Sequence, residues 1–270
     1  MLLRLLVNLT DMFPTFRRWV WKRWYQHIAG YDVASWSFMN YGYAPADDSS
    51  ETLELEATDE DDRFCIQLYH RVASAVSLKD LDVLEVGSGR GGGSSFVKRY
   101  LNPATMTGVD FSVKAVKFCR ERHQIEGLSF QQGDAENLSF NDATFDAVVN
   151  VESSHCYGSM PSFLSQVYRV LRPGGCFLFT DFRTSEEIGI LEEQLIGSGL
   201  TIVEQEDITP NVVSALKQDS ERKQTLIRQH IRGWLSNTFQ QFAGVEDSEV
   251  LASFESRSFI YKRYVLRKPT

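Results

Sequence analysis

The spacing of hydrophobic positions changes along the chain. Phe64, Leu68, Val72 and Val76 recur at helical intervals behind the acidic run Asp59-Glu60-Asp61-Asp62. Carboxylates favour the positive end of a helix dipole, so this run predicts a helix start. From Leu81 short apolar runs alternate with helical stretches. The pattern predicts strands over 82–86, 106–110, 128–132, 145–151 and 176–182. Helices are predicted between them over 91–100, 112–124 and 161–171, with Ser112 as an N-cap. Arg172-Pro173-Gly174-Gly175 should end the third helix and lead into the fifth strand. The run 145–151 is nearly all apolar, as a strand buried on both faces must be. Strands and helices alternating at this interval give an α/β fold, a parallel sheet covered on both sides.

Beyond the fifth strand a helix is predicted over 186–196 and a strand over 200–208, joined through Gly197 and Gly199. A long polar stretch of helical character then runs from about 212 to 242. It is too long for a connecting loop and reads as a helical lid insertion before a last strand over 258–266. The expected organisation is an N-terminal cap over 1–58, a core over 59–208, the insertion over 209–257 and the closing strand within 258–270.

Composition narrows the partners. The chain of 270 residues carries 36 acidic against 28 basic side chains, for a net charge of −8. No basic stripe suited to a nucleic acid is evident, so a small molecule is the expected partner. One short basic run stands out, Phe16-Arg17-Arg18-Trp19-Val20-Trp21-Lys22-Arg23-Trp24-Tyr25. It suits a cap helix over the core or substrate pocket, or at most a peripheral membrane contact. The apolar start of the chain is broken by Arg4 and is too short to span a bilayer. Cys65, Cys119, Cys156 and Cys176 are widely spaced and form no C-x-x-C pair. They read as small buried hydrophobes in a reducing, cytoplasmic setting.

The candidate chemistry begins at Leu84-Glu85-Val86-Gly87-Ser88-Gly89-Arg90-Gly91-Gly92, which contains G-x-G-x-x-G through Gly87, Gly89 and Gly92. Such a loop lets backbone approach a ligand closely and aims helix N–H groups at it. Alone it fits a dinucleotide as well. Its surroundings favour another cofactor. Glu85 precedes the loop, and a carboxylate there suits an ammonium and a sulfonium better than a pyrophosphate. Asp110 ends the second strand, where it can accept both hydroxyls of a ribose. Asp134 follows the third strand, where it can accept from an adenine amino group. The only Tyr-x-x-x-Lys that would suit an NAD(P)-dependent oxidoreductase is Tyr264 with Lys268, in the terminal strand.

From about Asp82 to Phe182 these residues resemble the class I S-adenosylmethionine-dependent methyltransferases. The resemblance implies a Rossmann-like sheet of seven mostly parallel strands with the last one antiparallel. It implies that Glu85, Gly87, Ser88, Gly89 and Gly91 hold the methionine part of S-adenosylmethionine. Asp110 would hold the ribose with Phe111 beside the adenine, and Asp134 and Ala135 would meet the adenine edge. Asn150 would lie near the methionine carbons. Over most of the chain, Phe38-Met39-Asn40-Tyr41-Gly42-Tyr43, Leu68-Tyr69-His70-Arg71 and Asn150-Val151-Glu152-Ser153-Ser154-His155-Cys156-Tyr157 are similar to mycobacterial phthiotriolone/phenolphthiotriolone O-methyltransferases. They are also similar to O-methyltransferases of polyketide and related natural products. Tyr41 and Tyr69 could close over the methionine carboxylate, or serve the core.

Methyl transfer to an alcohol needs alignment of the acceptor and a base for its proton. His155 follows the fourth strand and Asp181 ends the fifth, on the edge where ligands bind in open α/β folds. His155 is the candidate general base, with Asp181 orienting it. Glu152 is a further acid or a residue binding the acceptor. A nucleophilic pair of Cys156 with His155 is disfavoured, because neighbours on a strand extension point apart. Glu152 and Asp181 could hold a metal, but no third ligand is evident and none is expected. The expected acceptor is the hydroxyl of a small-molecule or lipid-like natural product. The alternatives are C- or N-methylation of a lipid, sterol, quinol or amine, and more remotely an oxidoreductase or a non-catalytic module that only binds the cofactor.

Overall fold

A computed structural model describes residues 37–45, 53–230 and 243–270. The aromatic and basic run 16–25, and the part of the expected insertion from 231 to 242, lie outside the described residues. The strands are β1 (Asp82–Val86), β2 (Thr105–Asp110), β3 (Leu128–Gln132), β4 (Phe145–Val151), β5 (Leu171–Thr184), β6 (Thr201–Asp207) and β7 (Phe259–Arg267). They form one sheet in the order β3-β2-β1-β4-β5-β7-β6. Pairing is parallel from β3 through β5, and β7 runs antiparallel between β5 and β6. The sequence direction of strand order reverses at β1, which lies between β2 and β4. That reversal opens a crevice at the carboxyl ends of β1 and β4, the place where such sheets bind ligands.

The helices are α1 (Arg63–Ala73), α2 (Gly92–Leu101), α3 (Val113–Arg122), α4 (Met160–Val170), α5 (Ile188–Ile196), α6 (Thr209–Gln218), α7 (Ser220–His230) and α8 (Glu249–Glu255). Strand alternation sends successive side chains to opposite faces. Val83 of β1 and Val149 of β4 therefore join Leu68 and Val72 of α1 and Phe96 of α2 in one core. Leu84 and Val148 join Phe163 and Val167 of α4 in the other. Each such fully buried side chain contributes roughly 1.5–3 kcal/mol.

Several boundaries differ from expectation. The acidic run forms a 3₁₀ turn, Glu60–Asp62, and α1 starts after it. Its carboxylates pair with Arg63 and Arg99, and neither Asp59 nor Asp62 caps a helix through its side chain. Strand β5 begins at Leu171, directly after α4. Arg172-Pro173-Gly174-Gly175 lies inside it, as a bulge where the register with β4 shifts. Within the described residues, the expected helical stretch is broken into α6 and α7, and the short helix α8 lies near the end of the expected insertion. The break falls at Asp219, whose carboxylate turns to Arg222 at 2.5 and 2.8 Å. Helix α8 starts at an N-cap, where the Ser248 hydroxyl accepts from Leu251 N–H at 3.1 Å. Among the described residues, no helix is long and apolar enough to cross a membrane.

Candidate active site

Strand β1 delivers the chain to Gly87, whose φ of +78° favours glycine. A Cβ there would also collide with the Ser153 hydroxyl and lie 2.8 Å from the Tyr157 hydroxyl oxygen. The Gly87 and Ser88 N–H groups both donate to the Val109 carbonyl, at 2.8 and 3.0 Å. Asp110 continues that tie. Its Oδ2 accepts from Gly89 N–H at 2.9 Å and its Oδ1 from Ser112 N–H at 2.8 Å. The glycine loop and the end of β2 are thus one unit. Burial pushes the Asp110 carboxyl up to about 6, against the pull of those two N–H groups.

A cavity opens over this unit. Gly87, Ser88, Gly89, Asp110, Phe111, Asp134 and Ala135 all lie on its wall, as the sequence led one to expect. Asp134 accepts from Glu136 N–H at 3.0 Å, a turn that places residues 134–136 on that wall. Tyr69 and Glu152 close the opposite side, with Met39, Asn40, Ser153, Cys156 and Tyr157, which the sequence did not assign. For three of these five the repeated glycines were a signal, since a glycine marks a close neighbour: a Cβ at Gly87 would meet Ser153 and Tyr157, and one at Gly89 would meet Met39.

Other expected residues stand back from the wall. Glu85 is fully buried on the face of α1 and α2. Its Oε1 accepts from the Tyr69 hydroxyl at 2.6 Å and its Oε2 from the Ser94 hydroxyl. Burial pushes this carboxyl up to about 7 against those two hydrogen bonds. Glu85 braces the loop from beneath. Asn150 does the same from the other face, its Nδ2 donating to the Val86 carbonyl at 2.8 Å. Gly91 turns the chain into α2. The Tyr41 ring packs against Phe182 and Phe254, away from the cavity.

Beyond β4 the chain forms a 3₁₀ turn, Ser154–Cys156, rather than a strand extension. The turn brings the His155 imidazole to Asp181, with Nδ1 2.9 Å from Oδ1. The other oxygen, Oδ2, accepts from His155 N–H at 2.9 Å and from the Ser154 hydroxyl at 2.6 Å. Arg183 lies 3.3 Å from the same oxygen. Burial opposes the Asp181 charge, but His155 and Arg183 hold the carboxyl well below the usual range. For His155, burial works downward, while Cys156 and Asp181 work upward and prevail, to about 10. The same turn corrects the expectation for Cys156. Its side chain is partly exposed and lines the cavity beside His155, so it is not a buried hydrophobe.

His155 itself is not on the cavity wall. Its neighbours Ser153 and Cys156 are, and its ring lies 4.6 Å from that of Phe182. Phe182 in turn touches Tyr41, Phe254, Phe259 and Tyr261. Glu152 joins the two regions. It adopts φ +49°, a strained conformation for a non-glycine residue. Its Oε2 accepts from Tyr41 N–H at 2.9 Å and from the Tyr261 hydroxyl at 2.8 Å. Burial pushes its carboxyl up to about 7. Among the described residues, no group of three His, Cys, Asp or Glu side chains is placed to hold a metal ion.

The chain is similar to known proteins. The family described as "Methyltransferase domain" matches residues 84–179. The chain is 39% identical over 255 residues to the phthiotriol/phenolphthiotriol dimycocerosates methyltransferase of Mycobacterium tuberculosis, covering 94% of this chain and 93% of that protein. It is 38% identical over 232 residues to the fatty-acid O-methyltransferase of Mycolicibacterium smegmatis, covering 86% and 83%. The chain belongs to the S-adenosylmethionine-dependent methyltransferases. Its fold matches the crystal structure of the [4+2]-cyclase SpnF, with a TM-score of 0.70 at 22% identity, covering 94% and 96%. That likeness concerns the fold alone.

Membership in the methyltransferases removes the oxidoreductase reading of the glycine loop. The wall also fits the cofactor, S-adenosylmethionine, on its own terms. The Ser88 hydroxyl is buried on the wall with no hydrogen-bond partner among the described residues. A buried hydroxyl in that state needs a polar ligand to satisfy it. Each Asp110 oxygen keeps a further lone pair beyond its bond to the backbone.

Proposed function

We propose that this methyltransferase methylates a hydroxyl oxygen of a lipid-like natural product, with His155 as general base. The observation that carries the reading is the His155–Asp181 pair, 2.9 Å apart, set between the cofactor cavity and an aromatic cluster. When bound, S-adenosylmethionine supplies a methyl group already activated by a positive sulfur. The chain need only bind, orient and remove a proton. Asp110 accepts from the ribose hydroxyls, Phe111 lies beside the adenine, and Asp134 and Ala135 meet its edge. The Gly87 and Gly89 backbone, Ser88 and Tyr69 receive the methionine part. Asp181 commits Nδ1, so Nε2 is the nitrogen that takes the acceptor's proton. The half-buried rings of Phe182 and Phe259 offer an apolar body a place beside the imidazole.

Two named relatives support the acceptor class. One acts on phthiotriol and phenolphthiotriol dimycocerosates and the other is a fatty-acid O-methyltransferase. Both names describe long apolar molecules with an oxygen to methylate.

The reading is tested by His155→Ala. Removing a general base lowers turnover by roughly 10²–10⁴-fold, while affinity for S-adenosylhomocysteine should stay within about twofold of the parent. Unchanged turnover would remove His155 from the chemistry. A chelator should leave activity intact, measured by the same assay.

A further inference from the structure

We infer that Asn40 is an additional cofactor-binding residue, whose Oδ1 accepts a hydrogen bond from the amino group of the methionine part. The inference begins with the strap formed by residues 37–45. The strap has no helix or strand of its own, yet it is fastened along its length. Gly92 N–H donates to the Ser37 carbonyl at 3.2 Å, and Tyr43 N–H donates to the Phe64 carbonyl at 2.9 Å. Tyr41 N–H donates to Glu152 at 2.9 Å. Ala44 N–H donates to the Asn211 carbonyl at 3.1 Å, and the Asn211 amide returns a bond to the Ala44 carbonyl at 2.9 Å. A segment held this way presents its middle residues in fixed positions. Those residues, Met39 and Asn40, are on the cofactor wall.

Asn40 is only 9% exposed. Its Nδ2 faces the Cys65 carbonyl at 3.4 Å, and a carbonyl can only accept, which sets the orientation of the amide. Oδ1 is then an acceptor by chemistry, and it is buried without a hydrogen-bond partner among the described residues. Buried polar atoms of this kind are rare, and a ligand donor is the natural means of satisfying one.

The cofactor has few donors to offer. Its ribose hydroxyls belong to the Asp110 side of the cavity and its adenine amino group to the Phe111 and Ala135 side. Asn40 instead adjoins α1 through Cys65, on the side of Tyr69 and Gly93. The amino group of the methionine part is the donor that remains. Glu85 was the residue expected to receive it, but Glu85 is fully buried behind the cavity wall, with its oxygens turned to Tyr69 and Ser94. The strap therefore supplies a side-chain acceptor on the wall itself.

The test is calorimetric binding of S-adenosylhomocysteine and of its deaminated analogue, which keeps the carboxylate. Asn40→Leu preserves bulk and removes the acceptor, whereas Asn40→Asp retains an acceptor. The Leu variant should bind S-adenosylhomocysteine at least about tenfold more weakly, as for loss of a hydrogen bond to a charged group. It should bind the deaminated analogue as the parent does, and the Asp variant should bind S-adenosylhomocysteine within a few-fold of the parent. Full affinity in the Leu variant would overturn the inference. So would an equal loss for both ligands, or a loss in the Asp variant as large as in the Leu variant. The readout is independent of the acceptor and of His155, so it separates this assignment from the proposed reaction.

Discussion

His155 must be neutral to accept a proton, and its partners raise its pKa to about 10. Activity should therefore climb as pH rises from 7 toward that value, about tenfold per unit in kcat/KM. Asp181→Asn removes the charge that favours the imidazolium, so the limb should move to lower pH; a profile that stays in place would deny the coupling. The same groups govern stability. Glu85 and Glu152 are raised from 4.5 to about 7 and His155 from 6.5 to about 10. A raised folded pKa contributes stability that is present below the unfolded value and lost as pH rises through the folded one. The ligand-free protein should thus lose melting temperature from about pH 5 to pH 9. A flat curve would contradict the burial of these groups. Asp110 and Phe111 were legible in the sequence because a strand end fixes both their position and their direction. Glu85 was legible as a position only. Nothing in the sequence shows that Tyr69 and Ser94 claim its oxygens before a ligand does.

The strands of the core were readable because hydrophobic alternation marks each one, but the joints between elements were not. A 3₁₀ turn after β4 replaces the expected extension, and that one change puts Cys156 on the cavity wall and the His155 imidazole against Asp181. Such a turn leaves no periodic trace. The split between α6 and α7 falls where Asp219 turns to Arg222, a pair that in the sequence looks like any other two charges on a helix. Asp219 is 3% exposed, so losing its charge removes both of its bonds to Arg222 and leaves that partly buried guanidinium only Asp62, at 3.4 Å. Asp219→Ala should cost about 3 kcal/mol in urea unfolding. A change below about 0.5 kcal/mol would show that the join is held by packing instead.

The sheet brings the chemistry together. Its order reverses at β1, and the carboxyl ends of β1, β2 and β4 supply the loop, Asp110 and Glu152. Strand β5 adds Asp181, and β7 adds Tyr261 to the aromatic side. The donor half of the site is carried by motifs of short sequence range and was readable for that reason. The proposed acceptor half is assembled from β5, β7, α8 and the strap, residues as far apart as Tyr41 and Tyr261, and no local pattern announces that meeting. The central claim is transfer to oxygen, and isotope labelling addresses it most directly. The enzyme would be incubated with S-adenosylmethionine carrying a ¹³C methyl group and a long-chain lipid bearing free hydroxyls, and the product examined by NMR. The account predicts the label as a methoxy group, formed at a rate that collapses in His155→Ala. A label on carbon or nitrogen, or a methoxy product formed equally fast without His155, would contradict it.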